Sequence, residues 1–150
     1  MVPRDRIDAF LACRRLAVAG VRRNGLGFGA TVVPELEKKG YEVRLVHPVV
    51  QSIGGRPCAR SLAELEGKVD GVLLVTKPDA TLELVREAAA LGLRNVWMQR
   101  GAESPAAIQA AEALGLFPVH GECILMFAEP AGFPHRVHRF FRRVSGSLPQ

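Results

Sequence analysis

"RLAVAGVRRNGLGFGATVVPELEKKGYEVRLVHP", residues 15–48, opens with a short apolar run that breaks at Gly20, and glycines follow at positions 25, 27 and 29. A helical pattern comes next, and a second apolar run ends at His47-Pro48. Strand, glycine-rich loop, helix, strand is the outline of a nucleotide-binding βαβ unit. Glycines let the backbone approach a phosphate, and the helix beginning near Phe28 directs its unpaired N–H groups and positive dipole end toward it.

The rest of the chain extends this pattern. After a strand at 16–20, the spacing predicts a helix over 28–39, with Lys38 and Lys39 in its last turn and Gly40 just beyond. Pro34 falls inside that helix, at a cost of about 3 kcal/mol unless the helix kinks. "YEVRLVHP" (41–48) is the second strand, and Ser61 and Glu64 have capping-box spacing for a short helix. "DGVLLVTKP" (70–78) is almost continuously apolar over 72–75, as a strand buried on both faces is. Asp79 is positioned to cap a helix over 80–91 that Gly92 closes, and "RNVWMQRG" (94–101) is another strand. Ser104-Pro105 starts a helix that ends at Gly115, and "LFPVHGECILMF" (116–127) holds one or two short strands. Residues 135–144 put Val137, Phe140, Phe141 and Val144 on one helical face. The expectation is one α/β domain over 1–150, a Rossmann-like doubly wound parallel sheet of about five strands. A helix within 1–14 precedes it, and a basic amphipathic helix and tail at 134–150 follow it.

Charge is distributed unevenly. Residues 1–23 carry six arginines against Asp5 and Asp8, residues 24–133 carry 10 basic and 13 acidic side chains, and 134–150 carry four arginines with no acid. The mildly acidic middle argues against a nucleic-acid surface, while basic residues near the first glycine loop favour an anionic ligand held locally. No apolar run approaches the roughly 20 residues that span a bilayer. Cys13, Cys58 and Cys123 form no CxxC pair, and fit neither a disulfide framework nor a zinc site. These features predict a cytoplasmic protein with no metal. For the tail, three readings are open: a helix docked on its own domain, a homodimer contact, or a helix that binds membrane surfaces or nucleic acid.

In a doubly wound sheet, ligands bind at the carboxyl ends of the strands. Three loops carry unusual residues there: 20–29, Thr76-Lys77-Pro78 and Gln99-Arg100-Gly101. Arg22, Arg23, Lys77 and Arg100 bring positive charge to them. Walker spacing is present from Gly20 to Gly25, but Leu26-Gly27 stands where lysine and a hydroxyl residue are required. The GxGxxG fingerprint is absent too. An NAD site wants an acid at the end of the second strand, and His47-Pro48 is there instead, with Glu42 at the strand's other end. NAD is disfavoured, and NADP would need an arginine from elsewhere.

"AVAGVRRNGLGFGATVVPELEKKGYEVRLVHP", "IGGRPCARSLAEL", "VDGVLLVTKPDA", "VWMQRGAESPAA" and "GECILM" occur in that order. Together, over about residues 15–127, they resemble the small stand-alone CoA-binding proteins, which are similar to the CoA-binding domain of the succinyl-CoA synthetase α subunit. The resemblance implies that CoA phosphates lie on Gly20, Val21, Arg22, Arg23, Phe28 and Gly29, and that His47 and Pro48 border the adenosine. Thr76, Lys77 and Pro78, with Gln99 and Gly101 in the turn over 97–101, would line the remainder. Arg22 departs from the family, which often has a small hydroxyl residue there. The synthetase's second domain, with its phosphorylated histidine, has no counterpart, which implies binding of CoA without activation of an acid.

Motifs of catalysis such as GxSxG or HExxH do not occur. Cys123 reads as a small apolar residue beneath the sheet end, although a cysteine near this place recurs in the resembled family and would lie within reach of a CoA thiol. The expected function is non-catalytic binding of CoA or acyl-CoA, as carrier, sensor or regulatory subunit. Two alternatives stand beside it: an NADP- or acyl-CoA-dependent enzyme component completed by a partner, and an interaction module working through the basic C-terminal helix.

Overall fold

The computed structural model describes residues 2–128. All five apolar runs of the sequence become parallel strands, each short and each with at least two consecutive buried residues. In chain order the strands are β1 (Arg15–Ala19), β2 (Glu42–Val46), β3 (Ser52–Ile53), β4 (Arg56–Ala59), β5 (Gly71–Leu74), β6 (Asn95–Met98) and β7 (Phe117–His120). The helices are α1 (Arg4–Leu11), α2 (Phe28–Lys38), α3 (Pro78–Ala90) and α4 (Pro105–Ala113).

The described residues form a seven-stranded sheet in the order β3-β4-β2-β1-β5-β6-β7, two strands more than the sequence suggests. The addition is a hairpin of β3 and β4, antiparallel to each other, with β4 pairing parallel to β2. Gly54 and Gly55 form its two-residue turn at φ 57° and 80°. Positive φ at both central positions is what a type I′ hairpin needs. Leaving out β3, the parallel strands run in the Rossmann order, third-second-first-fourth-fifth-sixth.

Alternation along the strands makes two cores. Leu16, Val18, Leu73, Trp97 and Val119 face α1 and α2, where they meet Phe10, Val32 and Leu36. Ala17, Ala19, Val72, Leu74, Val96 and Met98 face the other way, toward Val85 and Ala88 of α3 and Ala107 and Ala111 of α4. Register levels the carboxyl ends: Ala19 pairs with both Val46 and Leu74, Leu74 with Met98, and Met98 with His120. All the loops that follow therefore leave the sheet from one edge.

Helix ends obey local rules, with some departures from expectation. Beyond α2, Gly40 N–H donates to Glu37 O and Tyr41 N–H to Leu36 O, a Schellman closure repeated by Gly92 and Leu93 after α3 and by Gly115 and Leu116 after α4. Pro34 stays inside α2, so the Ala30 carbonyl loses its helical donor while the helix continues. Ser104 caps α4 as expected, accepting from Ala107 N–H at 3.1 Å. Asp79 does not cap α3: the helix starts earlier, with Pro78 at its first position and Lys77 as N-cap, because proline's fixed φ suits that place. Nor does Ser61 form a capping box. Residues 62–65 make a 3-10 turn without a side-chain cap, and Glu64 accepts from Arg60 N–H instead at 2.9 Å. Residues 124–126 are likewise a 3-10 turn rather than a strand. The expected C-terminal helix over 135–144 lies outside the described residues. Among the described residues no helix is long and apolar enough to cross a membrane.

Candidate functional site

The chain leaves β1 toward β2 on one side, and β5 toward β6 on the other. Such a switch point opens a crevice at the carboxyl ends of the two strands. Gly20 lies at its base with φ 104°, and a Cβ there would come within 2.6 Å of Val75 C and Thr76 N. Only glycine lets the two loops pass this close. Above them is a cleft of about 1160 Å³, large for a single small molecule and suited to an extended one.

Its floor is apolar, made by Ala19, Val21, Val46 and Val75 with Phe28 and Leu84 at the sides. Its polar groups are mostly donors. No side chain caps α2, whose N-cap is Gly27, or α3, so the first N–H groups of both helices lack side-chain partners. Arg22, Lys77, Arg60 and Arg100 line the cleft, as do Asp79, Glu83 and Glu87 on the α3 flank. Two of these acids have partners already: Glu83 pairs with Arg86 at 2.8 Å, and Glu87 accepts from Ala63 N–H.

The residues singled out in the sequence mostly meet here. Gly20, Val21, Arg22 and Phe28 line the cleft with His47, Pro48, Thr76, Lys77, Pro78, Gln99 and Gly101. Gly29 does not. It is buried, and a Cβ on it would sit 3.0 Å from Val21 Cγ2, so its smallness serves the packing of α2 against the first loop. Arg23 is also outside the cleft, in a shallower neighbouring pocket.

Several of these side chains hold the frame of the cleft. His47 Nδ1 accepts from Val49 N–H at 3.0 Å and Val50 N–H at 3.1 Å, which fixes the turn after β2 and leaves Nε2 to carry the proton of the neutral ring. Gln99 is buried, and its Oε1 accepts from Ile124 N–H. With Trp97 Nε1 donating to Glu122 O, it anchors the segment that brings Cys123 to the cleft wall. Thr76 and Thr81 hydroxyls lie 2.7 Å apart, and Thr81 also donates to Ala102 O, tying the loop after β5 to the one after β6.

Arg60 and Ser61 also line the cleft, from the loop after β4, and were not expected there. Their signal was Gly54-Gly55, a hairpin turn that makes the following residues a strand ending at the same edge. Of the other thiols, Cys13 is buried and pushed up to about 11, and burial also raises Cys58. No group of His, Cys, Asp or Glu among the described residues could hold a metal ion.

A family model described as a CoA binding domain matches residues 14–129. A conserved hypothetical protein from Pyrococcus furiosus is similar in structure, with 34% identity and a TM-score of 0.70 over 75% of this chain and 97% of that one. A hypothetical protein from Pyrococcus horikoshii OT3 is similar at 27% identity and TM-score 0.75, over 83% of this chain and 89% of that one. A Thermus thermophilus structure follows at 26% and 0.72, over 83% and 96%. No curated protein matches.

Proposed function

The chain belongs to the CoA-binding domain family, and from that premise we propose that it holds coenzyme A or an acyl-CoA in the cleft at the carboxyl edge of its sheet. The observation that carries the reading is one juxtaposition: the uncapped N-terminus of α2 shares the switch point with Arg22 and Lys77. A diphosphate is the group such a site suits, since backbone N–H groups, the helix dipole and two cations all favour compact negative charge. Val46 and Pro48 offer an apolar border for the adenosine. The pantetheine arm then runs past Gln99 and Gly101, and its thiol end approaches Cys123.

We further propose that binding, rather than turnover, is the function, as carrier, sensor or regulatory subunit. In support, the hydroxyls of Thr76 and Thr81 are engaged in holding loops, and among the described residues Cys123 makes no hydrogen bond with a base. Titration calorimetry with CoA, and with NADP as control, tests the ligand: micromolar or tighter binding of CoA with NADP silent is expected. The absence of heat from CoA would overturn the reading. Acetyl-CoA incubated with the protein should survive unchanged, and enzyme-dependent release of free thiol would overturn the non-catalytic part.

A further inference from the structure

Beside the cleft is a second, shallower pocket lined by Arg22, Arg23, Asn24, His47, Val49 and Lys77. Its chemistry is one-sided. Three of its six residues are cations and none is an acid, in contrast to the α3 flank of the cleft with Asp79, Glu83 and Glu87. Among the described residues, Arg22, Arg23 and Lys77 take part in no ion pair.

The side-chain acceptors that would offset this charge are already used. Asn24 Oδ1 accepts from Leu26 N–H at 3.0 Å, so its amide NH₂ is the group left for a ligand. His47 Nδ1 accepts from two backbone N–H groups, so the neutral ring has only the Nε2 proton to offer. Gly25 N–H donates to Arg22 O at 3.0 Å, a turn that fixes the backbone on either side of Arg23. The pocket thus presents donors and cations on a held frame, which is a site for a compact polyanion.

Its position says which anion. It bridges the loop after β1 and the turn after β2, and in sheets of this topology that turn faces the adenosine ribose. We propose that the pocket is a subsite for the phosphate monoester on the ribose of CoA, its 3′-phosphate, with Arg23 the residue that sets the preference for it. The assignment rests on the CoA reading above. The 2′-phosphate of NADP shares this chemistry, so the two nucleotides must be separated by experiment.

Calorimetry of the parent and of Arg23→Ala, with CoA, dephospho-CoA, NADP and NAD, does this. The parent should bind CoA about ten-fold or more tightly than dephospho-CoA, as one charge-assisted contact warrants. Arg23→Ala should remove most of that difference by weakening CoA alone, and unchanged binding of dephospho-CoA then shows that the variant is folded. Equal affinity of the parent for CoA and dephospho-CoA would overturn the subsite and leave the CoA reading intact. An equal loss of both ligands in the variant would also overturn it, because Arg23 would then act on the diphosphate. If neither CoA nor dephospho-CoA binds, the reading itself fails, whether or not NADP is preferred to NAD.

Discussion

Gly20 and Gly29 show why glycines that look alike in sequence have different consequences. At Gly20 an added Cβ meets backbone atoms of Val75 and Thr76 at 2.6 Å, at a φ that side chains rarely adopt. Gly20→Ala must therefore separate β1 from β5, and we expect a loss on the order of 3 kcal/mol in urea unfolding or failure to fold. At Gly29 the added atom meets Val21, so Gly29→Glu would disturb packing before it repelled any phosphate. Spacing alone cannot separate a glycine needed for ligand approach from one needed for helix packing. Arg22→Glu is the cleaner test of phosphate placement. Arg22 is exposed, and its guanidinium lies near Gly27, the N-cap of α2. The variant should melt within about 0.5 kcal/mol of the parent and bind CoA at least ten-fold more weakly. Retained affinity would move the diphosphate elsewhere. The thiols give an independent probe of the cleft. With Cys13 buried and raised to about 11, a thiol reagent at pH 8 should label Cys123 well before Cys13. Saturating CoA should slow Cys123, and labelling that CoA does not affect would place the ligand away from it.

At the level of elements, what was legible followed the strength of local chemistry. The ends of α2, α3 and α4 could be read because Gly40, Gly92 and Gly115 each close a Schellman motif, and Ser104-Pro105 starts α4 by side-chain capping and fixed φ together. The β3–β4 hairpin was not legible because β3 has only two residues, too few to show a period. With it went Arg60 and Ser61, whose place at the cleft depends on β4 pairing with β2. Asp79 has the residue type of a cap, but Pro78 sets the start of α3 two residues earlier. Contacts far apart in sequence had no local signal at all. Arg6 of α1 grips Glu112 of α4 by two bonds, at 2.8 and 3.2 Å, across one edge of the sheet. The Arg6 hydrogen bond holds the Glu112 carboxyl below its ordinary value of 4.5. Because the folded-state value is lowered, the pair stabilises fully above about pH 4.5, and its contribution is lost as pH falls through the folded value. Glu112 is nearly half exposed, so screening limits the pair to at most about 1 kcal/mol. Glu112→Gln should therefore be less stable than the parent at pH 7, and the gap should close as pH falls below 4.5 and through the lowered folded-state value. A difference that persisted at low pH would mean that packing, not charge, holds α1 to α4.

On the scale of the whole molecule, register and topology make one site from distant parts of the chain. The level ends of β1, β2, β4, β5 and β6 present Val21, His47, Arg60, Thr76 and Gln99 to a single cleft, although these residues span almost eighty positions. No local segment holds more than a fraction of these contacts, so an unfolded chain has little affinity for the ligand. Coenzyme A bound here should stabilise the fold as a unit. At free CoA one hundred times its dissociation constant, mass action gives about 2.7 kcal/mol. For a chain of this size that is a rise in Tm of roughly 5–10 °C, as a single transition. NADP at the same concentration should leave Tm unchanged, and Arg22→Glu should need proportionately more CoA for the same rise. The form of the transition matters as much as its midpoint. If CoA raised the melting of only part of the signal, it would be held by one loop rather than by the edge of the sheet.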